Sequence, residues 1–332
     1  MIDLNKIYIH GRYYYKDNKL YLYNTASGIE FNFRGEMVSL SLQAKIGQSS
    51  QAWMRVIIDN DDKKPVDLKF GAQNSKFRLA CEENKEIHNI KVFKVSEAIE
   101  SHVIINDLEI DGIYLDKPIY QNELLVIGDS TVSAFGNLGE VDDEKTLFDT
   151  DGLQGFAYLV AKHFNLSPNI LSGSGWGLTF SPWTVPNRRP MLKYIDKVAV
   201  IEDIKYDLTK LNPKFILISL GCNDSHYYTY VGEDGKSNCQ LLEEFQNDYH
   251  KLLEILNNLY PNIPIIMIYG VMREVHNYRP MHELFLKEKD SFNLFEAFIE
   301  GDNKGVSTHP SKDSHKEIAD KLIKMIEGII NE

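Results

Sequence analysis

Cysteine is scarce in this sequence, with three among 332 residues. Cys81, Cys222 and Cys239 are odd in number and follow no spacing pattern. Such a set does not supply the disulfide framework on which small secreted domains depend. The first residues also lack a charged stretch followed by an apolar one, so no signal peptide is predicted. We therefore expect a protein of a reducing compartment, the cytoplasm.

Positive charge is also in short supply. The sequence has 36 Lys and Arg residues against 48 Asp and Glu residues, a net charge of −12, and its basic residues form no long cluster. This argues against binding of nucleic acid or of acidic polysaccharides, and it leaves neutral molecules as possible substrates. No run approaches the roughly 18 apolar residues that a membrane helix needs, so we expect no membrane partner. The oligomeric state is left open.

What is present is the composition of a globular protein, with 43% hydrophobic and 25% charged residues. Short apolar or alternating segments fill the first third, and Gly, Asn and Asp separate them. These segments are residues 19–23, 29–33, 37–42, 53–59, 76–79, 88–94 and 102–106. Many short strands without a convincing helix predict an antiparallel β-sandwich.

The pattern changes near residue 117, beyond which apolar strand-like runs alternate with helical patterns. The predicted strands are residues 124–127, 169–171, 215–220 and 263–269, and the predicted helices lie around 155–164, 241–259 and 312–326. This alternation is typical of a parallel sheet with helices on both faces. We therefore predict a β-sandwich domain at 1–116 and an α/β domain at 117–332.

The first candidate for chemistry is Ser130 in the Gly-Asp-Ser segment 128–130, which directly follows the apolar run 124–127. Open α/β sheets carry their chemistry at the carboxyl ends of their strands. A serine there is placed to act as a nucleophile. The alternative is a helix N-cap, a common role for Ser after a strand.

Two further strand ends carry groups that can donate hydrogen bonds to an oxyanion. Gly175 lies in a glycine-rich segment after the strand 169–171, where bare backbone can approach a ligand closely. Asn223 follows the strand 215–220, and its carboxamide can donate without a change of charge. The alternatives are a flexible turn at Gly175 and an Asx-turn at Asn223.

His309 is the candidate general base, because an imidazole titrates near neutrality and Pro310 fixes the chain just before a helix. The alternative is a solvated loop histidine. His315, on the following helix, is expected to pack or to face solvent. No set of His and acidic residues has the spacing of metal ligands, so we predict no metal and no other cofactor.

These segments occur in the order of the four blocks of the SGNH (GDSL-type) hydrolases, and the chain resembles that superfamily over most of residues 122–330. Segments 128–136 and 174–178, with the leading β domain, are most similar to carbohydrate esterase family two. Segments 56–59 and 84–92 resemble that family's final sandwich strands. The resemblance implies a jelly-roll domain before a three-layer α/β/α SGNH domain. It also implies removal of acetyl groups from plant-type polysaccharides, such as xylan or mannan, or from their oligosaccharides.

By the same resemblance Ser130 is the nucleophile and His309 the base. The backbone N–H groups of Ser130 and Gly175 and the side chain of Asn223 form the oxyanion hole, and Asp129 supports the turn around Ser130. Two aromatic residues near Gly175 are candidates to stack on a sugar ring. They are Trp176 and Trp183.

One position departs from the superfamily pattern. Val306 stands three residues before His309, where these hydrolases usually carry an Asp that orients the histidine. We hypothesise a Ser–His dyad in which a backbone carbonyl accepts from Nδ1–H, with Asp302 as a stand-in acid only if the loop folds back. The alternatives to an acetyl esterase are a lipase-like or thioesterase-like acylhydrolase and a carbohydrate-binding protein without catalysis.

Overall fold

The structure is a computed structural model that describes residues 2–81, 85–183, 190–272 and 277–331. Its N-terminal part consists of short strands joined by turns. In chain order they are β1 (Tyr8–His10), β2 (Tyr13–Lys16), β3 (Lys19–Leu22), β4 (Gly28–Arg34), β5 (Met37–Ile46), β6 (Ala52–Ile58), β7 (Val66–Phe70), β8 (Ser75–Ala80), β9 (Ile87–Lys94), β10 (Ser101–Ile110) and β11 (Ile113–Tyr114). Asn84, in the segment compared with the family's final strands, lies outside the described residues.

These strands form two antiparallel sheets. One sheet has the order β1-β4-β9-β6-β7, with β11 paired to β4, and the other has the order β2-β3-β10-β5-β8. In β5 the alternate residues Val38, Leu40 and Leu42 are fully buried. They pack with apolar side chains of both sheets into one core. Alternation of this kind is expected of strands with one face on a core, and the predicted β-sandwich is confirmed.

The C-terminal part alternates strands and helices. Its elements are β12 (Glu123–Gly128), α1 (Phe156–His163), β13 (Ser167–Ser172), β14 (Lys197–Ala199), β15 (Glu202–Lys205), β16 (Pro213–Ser219), α2 (Cys222–His226), α3 (Asn238–Leu259), β17 (Ile265–Tyr269), α4 (Tyr278–Glu288), β18 (Leu294–Phe298) and α5 (Lys312–Asn331). A π-helical turn, Tyr227–Val231, follows α2.

The main sheet of this part is parallel and has the order β13-β12-β16-β17-β18. Its two faces are covered by different helices. Ile216 and Ile218 of β16 pack in one cluster with apolar residues of α3 and α4. Phe215 and Leu217 of the same strand pack on the opposite face with residues of α1 and α5. The predicted three-layer α/β/α arrangement is therefore confirmed.

Strand order places the candidate site. The strands β13, β12 and β16 are neighbours in the sheet, and because they are parallel their carboxyl ends lie at one edge. Ser130 follows β12, Gly175 follows β13 and Asn223 follows β16. The topology thus brings three segments that are distant in sequence to one place.

The two parts are joined by a connection between β11 and β12 that contains the predicted boundary at 116/117. Buried polar contacts also link them: His10 Nδ1 lies 3.0 Å from Ser167 Oγ, and Asn24 Nδ2 donates to the Val198 carbonyl over 2.7 Å.

Two elements of the C-terminal part, α4 and β18, were not predicted from the sequence. β18 is a short edge strand with half-buried positions, so its hydrophobic signal is weak. None of the helices within the described ranges is long and apolar enough to cross a bilayer.

Candidate active site

Ser130 lies in a tight turn directly after β12. A Cβ on Gly128 would come within 2.2 Å of Val132 Cγ2, so the strand can turn this sharply only with glycine there. The Asp129 carboxylate holds the turn, because its Oδ1 accepts from the N–H and the hydroxyl of Thr131, each over 2.9 Å. Burial raises the pKa of Asp129 to about 6. Asp129 therefore lies where the resemblance implies, under the Ser130 turn.

Ser130 and His309 form a hydrogen-bonded pair, with 2.8 Å between Oγ and Nε2. The other ring nitrogen, Nδ1, lies 3.0 Å from the Val306 carbonyl oxygen and 3.1 Å from that of Ser307. Carbonyl oxygens only accept, so Nδ1 carries the hydrogen of the neutral ring. Nε2 is then left as the acceptor for the Ser130 hydroxyl proton. This is the dyad geometry, with main-chain carbonyls orienting the imidazole.

The backbone before His309 has an unusual conformation. Ser307 and Thr308 have φ angles of 52° and 62°, which lie in the left-handed region that residues other than glycine rarely adopt. The surroundings hold it, since the Ser307 N–H donates to the Val141 carbonyl over 3.1 Å and the Val306 N–H donates to the Gly136 carbonyl over 3.0 Å. Strain held in this way is typical of functional sites. Here it directs two successive carbonyls at one imidazole nitrogen.

The electrostatic environment keeps His309 in its basic form. Burial lowers the pKa of His309 below its ordinary value, and the nearby charge of Lys145 acts in the same direction, while the carbonyls of Val306 and Ser307 oppose both. The ring also packs against Phe135, with 4.5 Å between centroids. A histidine with a lowered pKa is neutral at pH 7 and can accept a proton there.

The structure places Asp302 away from the imidazole. Its Oδ2 accepts from the Ser311 hydroxyl over 2.5 Å, and its Oδ1 accepts from the backbone N–H groups of Ser311 and Lys304 over 2.9 and 3.2 Å. The Ser311 hydroxyl in turn accepts from the N–H of Ser314 in the first turn of α5. Asp302 therefore orders the start of α5, and the loop does not fold back to make it a stand-in acid for His309.

The candidate oxyanion donors surround Ser130. Gly175 has a φ of +76°, which favours glycine. Within the described ranges, the backbone N–H groups of Ser130 and Gly175 donate to no protein acceptor. The Asn223 amide donates to the Trp176 carbonyl over 2.9 Å, and its nitrogen lies 3.5 Å from Asp129 Oδ2. One amide hydrogen thus fixes the side chain, and the other has only a long contact.

A pocket of about 660 Å³ opens over these groups. It is lined by residues of the dyad and the candidate oxyanion hole, namely Ser130, Gly175, Asn223 and His309. Gln48 and Ile99 of the N-terminal sandwich also line it. A volume of this size suits a small organic ligand. The binding space is therefore built from both parts of the chain.

The two candidate sugar-stacking tryptophans have different environments. Trp176 is 2% exposed and packs edge-on against Tyr194 in the core, so its prediction as a substrate-contacting aromatic is wrong. The apolar ring is buried under the turn rather than presented to the pocket. Trp183 is 65% exposed and lines the pocket, where its ring lies 4.7 Å from that of His226. His226 in turn lies 5.3 Å from the exposed Tyr230 ring.

Sequence reasoning missed other residues that shape the site. Asp224 accepts from the backbone N–H groups of Leu178, Thr179 and Phe180 over 2.8 to 2.9 Å, and so holds the chain that follows the glycine-rich turn. Its position beside Asn223 in the same motif was a usable signal. Glu97 of the sandwich, whose side chain accepts from Ser174, lies in no motif that could have marked it as part of the site.

In the described part of the chain, no group of three or more His, Cys, Asp or Glu side chains could hold a metal ion.

The chain has an antiparallel β-sandwich before an α/β/α part in which a serine and a histidine form a hydrogen-bonded pair, and this arrangement resembles that of SGNH hydrolases with a leading jelly-roll domain. Residues 9–118 match the sequence model of the family described as Carbohydrate esterase 2 N-terminal. The predicted resemblance to the SGNH hydrolases, and most closely to carbohydrate esterase family two, is confirmed.

Comparison with known proteins extends the similarity in fold over nearly the whole chain. The cellulase/esterase CelE of Acetivibrio thermocellus is 24% identical over 252 residues, which is 75% of this chain and 29% of CelE, so the chain spans under a third of that relative. A family two carbohydrate esterase from Clostridium thermocellum, solved with cellohexaose, has a TM-score of 0.85 at 22% identity, covering 98% of this chain and 99% of that one. An acetyl xylan esterase from Butyrivibrio proteoclasticus has a TM-score of 0.83 at 20% identity, covering 99% and 96%. The predicted class, a serine ester hydrolase, agrees with these relatives.

Proposed function

We propose that the protein is a carbohydrate O-acetyl esterase in which Ser130 is the nucleophile and His309 the base. The observation that carries the proposal is the 2.8 Å contact between Ser130 Oγ and His309 Nε2, at the edge of a pocket whose backbone N–H groups at Ser130 and Gly175 meet no acceptor among the described residues. Acyl transfer needs a nucleophile, a base and oxyanion donors together. Ser130, His309 and the backbone donors of the pocket are the groups that we propose for these three roles.

The reaction follows from the positions of these groups. Ser130 Oγ attacks the acetyl carbonyl carbon while its proton passes to His309 Nε2. The carbonyl oxygen becomes an oxyanion that the N–H groups of Ser130 and Gly175 and the Asn223 amide stabilise. As the C–O bond to the sugar breaks, His309 returns the proton to the departing sugar oxygen. Water, deprotonated by His309, then attacks the acetyl-enzyme, and acetate leaves with Ser130 restored.

The dyad works without a carboxylate because main-chain carbonyls perform two tasks of the usual Asp. The carbonyls of Val306 and Ser307 select the tautomer with the proton on Nδ1. They also accept from Nδ1–H when the imidazolium forms, which favours the charged state. In a serine protease, a wrong tautomer costs on the order of 10⁴ in turnover. Fixing the tautomer is therefore the larger part of the task.

The substrate class is a neutral acetylated oligosaccharide derived from xylan or mannan. A net charge of −12 disfavours polyanionic substrates. Exposed aromatic rings at the pocket, those of Trp183 and Tyr230, provide flat apolar faces of the kind on which sugar rings pack. A similar protein described as an acetyl xylan esterase supports this class, and an esterase solved with cellohexaose supports a carbohydrate ligand in general.

The test is a screen of acetylated mono- and oligosaccharides for acetate release, with the wild type beside Ser130→Ala. We expect release by the wild type and none above background by the variant. A series of p-nitrophenyl esters separates acyl specificities, because an acetyl esterase loses activity steeply as the acyl chain lengthens. Retained activity on long chains would favour a lipase-like or thioesterase-like acylhydrolase. Sugar binding without turnover by the wild type would instead indicate a carbohydrate-binding protein.

A further inference from the structure

A buried acid of the N-terminal sandwich reaches the glycine-rich turn of the active site. Glu97, which is 1% exposed, lies between β9 and β10. Its Oε2 accepts from the Ser174 hydroxyl over 2.5 Å and from the Ser174 backbone N–H over 3.2 Å. Ser174 directly precedes Gly175, one of the candidate oxyanion donors. The two parts of the chain are therefore bonded one residue away from that donor.

The segment that carries Glu97 is itself fixed. Lys94 is fully buried, and its Nζ donates to the carbonyl oxygens of Ser96 and Glu97 over 2.6 and 2.8 Å and to the Ser96 hydroxyl over 3.2 Å. Three hydrogen bonds thus tie Lys94 to two successive residues. A buried lysine is unfavourable unless its donors are satisfied. Here it immobilises the backbone from which the Glu97 side chain extends.

The same segment reaches the histidine side of the pocket. Glu100 forms an ion pair with Lys145, whose Nζ also lies 4.9 Å from the centroid of the Phe135 ring. Phe135 in turn packs against His309. Burial raises the pKa of both Glu97 and Glu100. The contacts of Glu97 and Glu100 therefore reach both the Gly175 side and the His309 side of the pocket.

We propose that Glu97 is a positioning residue for the oxyanion turn, so that the N-terminal sandwich completes the active site. The proposal rests on the proposed function. On the C-terminal side of Gly175 the turn is held by the buried Trp176 ring and by the Asn223 amide on the Trp176 carbonyl, whereas positions 173 and 175 carry no side chain. On the N-terminal side, Glu97 supplies a restraint through Ser174 that helps to hold the Gly175 N–H where the oxyanion develops. A displacement of about 1 Å at such a donor reduces catalysis by as much as 10²-fold.

The test compares Glu97→Ala and Glu97→Gln with the wild type on p-nitrophenyl acetate, with thermal unfolding measured for each. The Ala variant leaves Ser174 without its acceptor, and we expect kcat and kcat/KM to fall together by about 10- to 100-fold. The Gln variant keeps a carbonyl acceptor of the same length, and we expect kcat within about fivefold of the wild type.

The matched control is Glu30→Ala. Glu30 is a buried acid of the same sandwich, 4% exposed, and it bonds His10 and Tyr120 rather than the active-site turn. We expect this variant to lose stability but to keep the wild-type kcat well below its Tm. A purely structural role for Glu97 predicts instead that the Glu97 and Glu30 variants behave alike. That result, or a folded Glu97→Ala variant with unchanged kcat, would overturn the proposal.

If Glu97→Ala does not fold, Ser174→Ala serves as a second variant that still tests the proposal. It removes only the hydroxyl partner of Glu97, and we expect a smaller loss of kcat at unchanged KM; an unchanged kcat would again count against the proposal. Combined with Glu97→Gln, the two effects should not add, because both act on one contact. Failure of the proposed function is distinct, since the wild type and Ser130→Ala would then be equally inactive on every acetyl ester.

Discussion

His309 and Val306 are joined by a hydrogen bond in which the imidazole Nδ1 donates to the Val306 carbonyl oxygen over 3.0 Å. Val306 stands where SGNH hydrolases usually carry an orienting Asp. The residue at that position thus acts on the histidine through its main chain rather than its side chain. Replacing the side chain should therefore leave the orienting contact in place.

Val306→Asp should not create a stronger triad. The Val306 side chain is fully buried, and it faces Gly136 and Gly139, where an added Cβ on either glycine would lie 2.6 Å from a Val306 carbon. A carboxylate there would be buried without a partner, which lowers the free energy of unfolding by roughly 3 kcal/mol or more. Chemical denaturation and kcat/KM measure the two effects, with Val306→Thr as the near-isosteric control. A stable Asp variant with raised kcat would contradict this account.

Asp302→Ala should affect stability and spare catalysis. Asp302 bonds Ser311, which caps α5, so its removal should lower the free energy of unfolding by about 1 kcal/mol. His309→Ala, by contrast, removes the base and should reduce kcat/KM by about 10³-fold or more. Steady-state kinetics on p-nitrophenyl acetate with urea denaturation separate the two outcomes. Equal losses of activity in both variants would show that Asp302 serves the histidine after all.

The sequence was informative about the site because parallel strands end at one edge of a sheet. Ser130, Gly175 and Asn223 each follow a strand of that sheet, so strand-level patterns were enough to group them. The acceptors of His309 Nδ1 are main-chain carbonyls, which every residue carries, and no side-chain identity marks them. A left-handed conformation at Ser307 and Thr308 is likewise set by tertiary contacts.

Long-range contacts and the burial of individual side chains were the other features of the site that the sequence did not predict. Glu97 meets Ser174 across 77 positions and a domain interface, and neither residue lies in a pattern that links them. Trp176 and Trp183 both lie near the glycine-rich turn, and sequence position alone cannot tell which ring is buried. β-sandwich strands alternate clearly, so the first domain was easier to predict than a short edge strand such as β18.

Trp183→Ala should weaken substrate binding without changing the chemistry. Its ring is exposed at the pocket, and an aromatic contact of this kind contributes about 0.5–1.5 kcal/mol, so KM for an acetylated oligosaccharide should rise roughly 2- to 10-fold. kcat on p-nitrophenyl acetate should stay unchanged. Trp176→Ala is the contrasting variant, because loss of that buried ring should lower the free energy of unfolding by about 3 kcal/mol or more. An unchanged KM for Trp183→Ala would remove this residue from the binding site.

Lys145→Met should move the acid limb of the pH–activity profile to higher pH. Activity requires neutral His309, so kcat/KM rises with pH through the pKa of His309, which lies below the ordinary value of 6.5. The Lys145 charge contributes to that lowering, after burial. Its removal favours the imidazolium and raises the pKa of His309. Glu100, whose pKa burial raises, is protonated on this limb without Lys145 and adds no opposing charge. Lys145→Arg keeps the charge and should keep the wild-type limb. Profiles of kcat/KM for the three proteins on p-nitrophenyl acetate decide the matter, and a limb that stays fixed or moves to lower pH in Lys145→Met would show that this lysine does not act on His309.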